Sequence, residues 1–261
     1  MGKIAVITGA TSGIGKEFSE RLANMGYDLI IVGRREEIIK KVSKDIEKKY
    51  GVNVETKILD LSNNESLIEF IDFINKKDNI EYLVNNAGHG AIDTFTKDNI
   101  ENQVEMINVH VIAAVRLCHT IANKMKKRKK GYIINLCSIA SFNTFPTSGM
   151  YCATKGFLSS FSQSLALELK EYGVKVQALC PGFTRTDFHE KLNMDKNILK
   201  NKGIVKWMTP KEVVDISLNN INKSKIIVVP GLGNKIMCLA SRFAPRFIYY
   251  KIALKGWKLL D

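Results

Sequence analysis

Apolar and β-branched residues gather in short runs along the chain, at Lys3–Thr8, Asp28–Val32, Val54–Leu59, Tyr82–Asn85, Tyr132–Cys137, Val174–Cys180 and Lys225–Val229. Between these runs lie helix-length segments whose apolar residues are spaced along one face. Continuous apolar strands alternating with such helices predict an α/β fold, a doubly wound parallel sheet of about seven strands with helices on both faces. The punctuation agrees. Gly26 and Gly51 follow candidate helices as C-terminal caps, and Thr209-Pro210 sets a capping hydroxyl and then proline at the start of another.

In such a sheet ligands bind at the carboxyl ends of the strands, so chemistry is expected in the loops that follow them. Gly9, Gly13 and Gly15 follow the first run, within Thr8-Gly9-Ala10-Thr11-Ser12-Gly13-Ile14-Gly15. Glycines there let the backbone turn tightly against a pyrophosphate at a helix N-terminus, whose dipole favours anions. The second run ends at Gly33-Arg34-Arg35, where an enzyme using NAD carries Asp or Glu on the ribose hydroxyls. Arg34, with Arg35 beside it, suits bidentate pairing with a 2′-phosphate, which a carboxylate would oppose. The expected cofactor is NADP(H) in preference to NAD(H). Asp60-Leu61 follows the third run, Asn85-Asn86-Ala87-Gly88 the fourth, Ser138 the fifth and Pro181-Gly182 the sixth.

Tyr151 lies thirteen residues beyond Ser138, and Lys155 four beyond Tyr151. If 150–170 is a helix, the tyrosine and lysine share a face and point into one cleft. Hydride reduction of a ketone leaves an alkoxide that must be protonated, and a free phenol near pKa ~10 is a weak acid-base group at neutral pH. A neighbouring ammonium is expected to pull that pKa down, with Ser138 polarising the carbonyl. Tyr-x-x-x-Lys alone carries little weight in a lysine-rich chain with eight tyrosines. Its order after Ser138, downstream of the glycine loop, is what points to hydride transfer.

Composition narrows the alternatives. The 261 residues, 45% hydrophobic, suit one large domain without an internal repeat. Cys118, Cys137, Cys152, Cys180 and Cys238 show neither paired short spacing nor a histidine cluster, so reduced thiols are expected and no metal site. A strand begins almost at the N-terminus, leaving no room for a signal peptide, and no uninterrupted apolar stretch is long enough to span a bilayer, so a cytoplasmic location is expected. The net charge is +13. Its densest cluster, Lys124–Lys130, stands where a long helix should end, reads as a solvated cap, and lacks interleaved aromatics, so no nucleic-acid partner is expected.

These residues resemble the short-chain dehydrogenase/reductase family from Lys3 to about Val229, implying a Rossmann-type fold. Thr8–Gly15 is similar to the family's T-G-x-x-x-G-I-G loop, and Asn85–Gly88 to its N-N-A-G element, which steadies the central strand. Asn108, in Ile107-Asn108-Val109, resembles the catalytic asparagine, while Ser138, Tyr151 and Lys155 fall at the catalytic serine, tyrosine and lysine. The resemblance implies that Asn108 holds a water linking Lys155 to solvent, Ser138 binds the substrate oxygen, Tyr151 exchanges its proton and Lys155 also holds the nicotinamide ribose. It gives Asp60 to the adenine, and the segment Pro181-Gly182-Phe183-Thr184-Arg185-Thr186 to the nicotinamide and, through the hydroxyls of Thr184 and Thr186, the pyrophosphate. Thr11, Ser12 and Ile14 belong to the phosphate loop, and Asn86, Ala87 and Gly88 also line the cofactor site. One feature departs from the NADP pattern: some members carry a basic residue just before the second glycine, where this chain has Ser12.

The expected organisation is a catalytic domain over 1–230 with a substrate loop at about 187–210, followed by a basic extension of the same domain, 231–261. Leu192, Met194, Ile198, Leu199, Ile204, Val205 and Trp207 in the loop suggest a lipophilic carbonyl or alcohol substrate, although an ordinary packed helix has the same pattern. Lys235–Asp261 holds six basic residues and one acid among aromatics, a composition suited to peripheral membrane contact or to packing on the domain. The resemblance implies a dimer or tetramer. The competing functional reading is a noncatalytic NADP-binding sensor or scaffold, which needs only the glycine loop and Arg34.

Overall fold

The computed structural model describes residues 2–90, 94–190 and 206–257. Its strands are β1 (Ile4–Thr8), β2 (Asp28–Gly33), β3 (Val54–Ile58), β4 (Ile80–Asn85), β5 (Gly131–Leu136), β6 (Val174–Leu179) and β7 (Ile227–Val228). They form one sheet in the order β3-β2-β1-β4-β5-β6-β7, with every neighbouring pair parallel. The chain winds outward from β1 to β3, then crosses back to lay β4 on the other side of β1. The crevice at the strands' carboxyl ends therefore opens between β1 and β4.

Successive side chains of a strand face opposite ways, so the central strands feed both cores. Ala5, Ile7, Leu29 and Ile31 pack with Phe18 and Leu22 of α1 (Gly13–Asn24), Ile39 and Ile46 of α2 (Glu36–Tyr50), and Val213 and Ile221 of α8 (Pro210–Ile221). Val6, Ile30 and Leu83 pack with Phe70 and Ile74 of α3 (Asn64–Asn75), Leu117 and Ile121 of α5 (Ala114–Arg128), and Ala166 and Leu169 of α6 (Gly149–Leu169). The remaining helices are α4 (Ile100–Ile107), α7 (Asp187–Glu190), α9 (Leu232–Phe243) and α10 (Arg246–Trp257).

Strand ends lie within one residue of the sequence reading except in two strands. β4 begins at Ile80, two residues earlier than the apolar run, because Ile80 pairs with Ile4 despite the intervening Glu81. β7 shrinks to Ile227–Val228, since this edge strand pairs only with Ala178 and Leu179 of β6. From α4 to α5 the chain is one helix, Ile100–Arg128, long and apolar enough to cross a membrane by length and composition. Here it covers the sheet with Met106, Leu117, Ile121 and Met125 buried. Midway, Asn108–Ala113 is π-helical, an insertion common at functional sites, and Asn108 is its first residue.

Charges at the end of α5 find partners as a helix terminus requires. Lys124 Nζ donates to the Asn75 carbonyl at 2.7 Å, Arg128 to the Ile80 carbonyl, and Lys130 to Glu81 at 3.1 Å. At the start of α8, Thr209 Oγ1 accepts from Glu212 N (3.3 Å) while the Glu212 carboxylate accepts from Thr209 N (2.7 Å), a reciprocal box with Pro210 in the first turn. Thr209→Ala is expected to lower stability by about 1 kcal/mol, seen as a lower denaturation midpoint at unchanged slope. An unchanged midpoint would show that the box contributes nothing.

Candidate active site

The glycine loop is shaped by contacts that leave no room for side chains. Gly9 has φ +68°, and a Cβ on Gly15 would lie 2.3 Å from both the Gly9 carbonyl and Asn86 Nδ2. Asn86 fastens the loop: its Nδ2 donates to the carbonyls of Thr8 (2.9 Å) and Gly9 (3.0 Å). Its backbone N–H and that of Ala87 both reach Thr8 Oγ1 at 3.0 Å. The N-terminus of α1 carries neither a capping side-chain bond at Ser12 nor an acid in its first turn. Its free N–H groups and positive dipole end thus remain directed at the loop, fitting an anion such as a pyrophosphate. Thr186 lies on the other side, with Cγ2 2.9 Å from where a Gly13 Cβ would stand. Thr184, two residues earlier, is buried.

The end of β2 supplies the positive charge. Arg34 Nη1 bonds Asp60 Oδ2 at 3.0 Å and Glu105 Oε1 at 2.8 Å, so the Arg34 and Asp60 singled out in the sequence meet. Burial opposes ionisation of Asp60, but the Ser62 N–H and hydroxyl together with Arg34 outweigh it and hold the carboxyl below its usual range. Arg35 Nη2 turns to the glycine loop, donating to Thr11 Oγ1 (2.7 Å) and Ser12 Oγ (3.0 Å). A guanidinium thereby stands at Ser12, where the sequence lacked a basic residue. The sequence carried a signal for this role: Arg35 occupies the N-terminal cap of α2, where a cation opposes the helix dipole.

At the end of β5 the candidate catalytic residues converge. Ser138, directly before a turn at Ile139–Phe142, accepts from Ala140 N at 3.1 Å and stands near enough to the Tyr151 phenol to favour its ionised form. Lys155, one turn along α6, is buried, with Nζ 2.8 Å from the Leu136 carbonyl and 5.8 Å from the centre of the Tyr151 ring. Asn108 is half-buried on the π-helical stretch that packs against α6.

The electrostatics correct the sequence expectation that Lys155 pulls the Tyr151 pKa down. Burial pushes Tyr151 up to about 12, with Ser138 pulling the other way, while burial lowers Lys155 to about 8. Shielding from water penalises the charged form of each, and the ammonium is directed at a carbonyl rather than at the phenol.

Around this group the sequence reading missed His110. It is buried, its Nε2 accepts from His89 N at 3.2 Å and its Nδ1 bonds Thr154 Oγ1 at 3.0 Å, while Thr154 Oγ1 donates to the Tyr151 carbonyl at 3.1 Å. Burial, then the charges of Lys155 and His89, hold His110 well below the usual histidine pKa, so it stays neutral with the proton on Nδ1. Its position in the apolar stretch Val109-His110-Val111 gave no sign of this. His89 itself lies in the loop after β4, 3.8 Å from Glu105. Phe188 of α7 reaches within 6.1 Å of the Tyr151 ring, and Phe183 packs on buried Trp207. Leu192, Met194, Ile198, Leu199, Ile204 and Val205 lie outside the described residues. The five cysteines are free and buried.

A doubly wound sheet, a glycine loop at a free helix N-terminus and a serine, tyrosine and lysine at the carboxyl edge define a dinucleotide-dependent oxidoreductase. Residues 3–197 match the short chain dehydrogenase family, and the chain belongs to it. It is 33% identical over 220 residues to the 3-oxoacyl-[acyl-carrier-protein] reductase of Aquifex aeolicus, covering 83% of this chain and 89% of that protein. It is 32% identical over 195 residues to the (S)-acetoin-forming diacetyl reductase of Staphylococcus epidermidis, covering 74% and 76%. Among solved structures it resembles a short-chain dehydrogenase from Sphingobium yanoikuyae in complex with NADPH, with TM-score 0.82, 29% identity and coverage of 98% of this chain and 94% of that one. The protein is an oxidoreductase acting on CH–OH and C=O groups.

Proposed function

We propose that this protein is an NADP-dependent reductase of a lipophilic ketone, aldehyde or 3-oxoacyl chain. The observation that carries this reading is the group of half-buried Ser138 and Tyr151 with buried Lys155, beside a glycine loop and the two arginines at the end of β2. Gly9, Thr11, Ser12, Gly13, Ile14 and Gly15, with Thr184 and Thr186 across from them, would hold the pyrophosphate. Arg34 and Arg35 would hold the 2′-phosphate, Asp60 the adenine, and Asn86, Ala87, Gly88, Pro181 and Gly182 the faces of the dinucleotide. NADPH, when bound, supplies the hydride that reduces the carbonyl carbon.

This chain's residues do the rest. Ser138 donates to the carbonyl oxygen and fixes its distance from Tyr151. The Tyr151 hydroxyl, held protonated by burial, gives its proton to the oxygen as negative charge develops there. Lys155 returns a proton towards Tyr151, and Asn108 opens that path to solvent. Phe188 forms an apolar wall beside the phenol, which favours a lipophilic substrate, and the acyl-chain specificity in the name of the Aquifex relative supports the same class. Exposed Val104, Ile112, Phe157 and Leu167 on the outer face of the α4 to α6 region suit self-association into a dimer or tetramer. A cytoplasmic site of action, with peripheral membrane contact through 235–261, belongs to the same reading.

The pH dependence tests the proton path. Lys155 is protonated below its pKa of about 8 and neutral above it, whereas Tyr151, at about 12, remains a donor throughout. Carbonyl reduction at saturating NADPH is therefore expected to be level at lower pH and to fall as pH rises through about 8. Lys155→Met should abolish that limb along with most of the rate. A wild-type profile with no fall near that value would contradict the role given to Lys155.

A further inference from the structure

Helix α9 is amphipathic in the reverse sense for a helix lying on a domain. Its inward positions are Asn234, Cys238 and Ser241, all buried. Leu232, Ile236, Leu239 and Phe243, spaced four, three and four apart, form an apolar stripe that faces outward, with Leu232 74% and Phe243 76% exposed. On a soluble surface helix such a stripe faces the core. Helix α10 extends the anomaly. Phe247, Ile248, Tyr250, Ile252 and Leu254 are all exposed, and Tyr249 is the one large side chain that the helix buries among the described residues. A helix that is apolar nearly all round belongs in an apolar surrounding.

The charges on this face say which surrounding. Lys235, Arg242, Arg246 and Lys251 are exposed along the two helices, and no Asp or Glu occurs between Leu232 and Trp257. On α9, Lys235 and Arg242 sit seven residues apart and flank the apolar stripe. Aliphatic and aromatic residues bordered by cations are the pattern of a helix lying in the interface of an anionic bilayer. A second copy fits less well, because a two-fold contact would set this acid-free patch against itself, cation facing cation.

The face is also fastened to the active site. Tyr249 Oη accepts from the Thr144 N–H and donates to the Thr144 carbonyl, so α10 is latched to the loop that runs from Ser138 towards α6. At its other end α9 presses Asn234 against Gly182, where an added Cβ would meet its side chain at 2.3 Å, and Asn234 Nδ2 donates to the Pro230 carbonyl at 2.7 Å.

We propose that α9 and α10 form a docking face for an anionic lipid bilayer, which holds the cleft of Ser138 and Tyr151 at the membrane surface and admits substrates dissolved in the lipid. The docking stands on the face itself; the delivery of substrate rests on the reductase reading above. The test is sedimentation of the full chain with phosphatidylcholine vesicles, with and without phosphatidylglycerol. Binding is expected to be about 10-fold or more stronger to the anionic vesicles and to weaken as salt is added.

Leu239→Gln combined with Phe243→Gln and Phe247→Gln changes exposed positions only and is expected to abolish sedimentation while leaving NADPH-dependent turnover of a short, water-soluble ketone unchanged. Arg242→Glu with Arg246→Glu is expected to remove the preference for anionic vesicles. Failure of the wild type to bind either vesicle overturns the proposal. So does a wild-type dimer that the triple substitution dissociates, which would make a second copy the occupant. Vesicle binding without turnover of any carbonyl would leave docking intact and sink the reductase reading, whereas turnover without vesicle binding would do the reverse.

Discussion

Tyr151→Phe is expected to lower kcat for carbonyl reduction by more than about 100-fold while leaving NADPH binding within about 2-fold, because a positioned proton donor contributes on the order of 10² to 10⁴ in rate. The substitution removes one oxygen and keeps the ring that packs beside Phe188 and the edge of His110. Stability should rise or fall little, since neighbouring Ser138 keeps its bond from Ala140 N. The loss should appear in kcat more than in KM, as it must for an interaction formed chiefly as charge develops on the substrate oxygen. A variant that retains full turnover would remove Tyr151 from the chemistry.

The second large effect concerns the cofactor. Arg34→Ala is expected to weaken NADPH by about 10- to 100-fold, because a charge-assisted bond lost to a charged group is worth about 1.5–3 kcal/mol. NADH, which lacks the 2′-phosphate, should change by less than about 3-fold by the same arithmetic. The environment of Arg34 enlarges the effect. Asp60 and Glu105 lie 3.0 and 2.8 Å from its Nη1, and without the guanidinium both carboxylates would face an incoming phosphate with no cation between. Arg35→Ala should add to the loss, since Arg35 supplies the charge over Thr11 and Ser12. Parallel titrations with the two dinucleotides measure both effects. An equal loss for NADPH and NADH would mean that the arginines hold the loop's shape rather than the phosphate.

Much of the architecture was legible because the central strands β1 and β2 are apolar on both faces and several crossings end in recognisable punctuation. Thr209 and Glu212, three apart with Pro210 between, fold into the box that their identities predict. The glycine loop and Asn85–Gly88, which the sequence places after the first and fourth strands, meet where the sheet order switches between β1 and β4, and Asn86 joins the two directly.

What was illegible depends on groups meeting across the sheet. His110 sits among valines like a core residue, and its link from the loop after β4 to Thr154 of α6 exists only once the helices pack. The π-helical turn at Asn108 leaves no mark on an apolar periodicity. Ser12 read as a missing charge, yet the fold brings Arg35 to it from twenty-three residues away. The direction of the Tyr151 shift failed for a related reason. Spacing along a helix shows that Lys155 is near, but not that it is buried and that its ammonium points at Leu136. For the C-terminal extension the sequence left membrane contact and packing on the domain both open, and the fold turns the apolar stripe of α9 outward.

The measurement that tests the central claim most directly is NADPH oxidation by the wild type against ketones and 3-oxoacyl compounds of increasing chain length, with NADH in parallel. The account predicts turnover with NADPH well above that with NADH, and kcat/KM rising with the length of the apolar chain. NADPH binding with no turnover across the whole panel would contradict it and leave a dinucleotide-binding protein without a reaction.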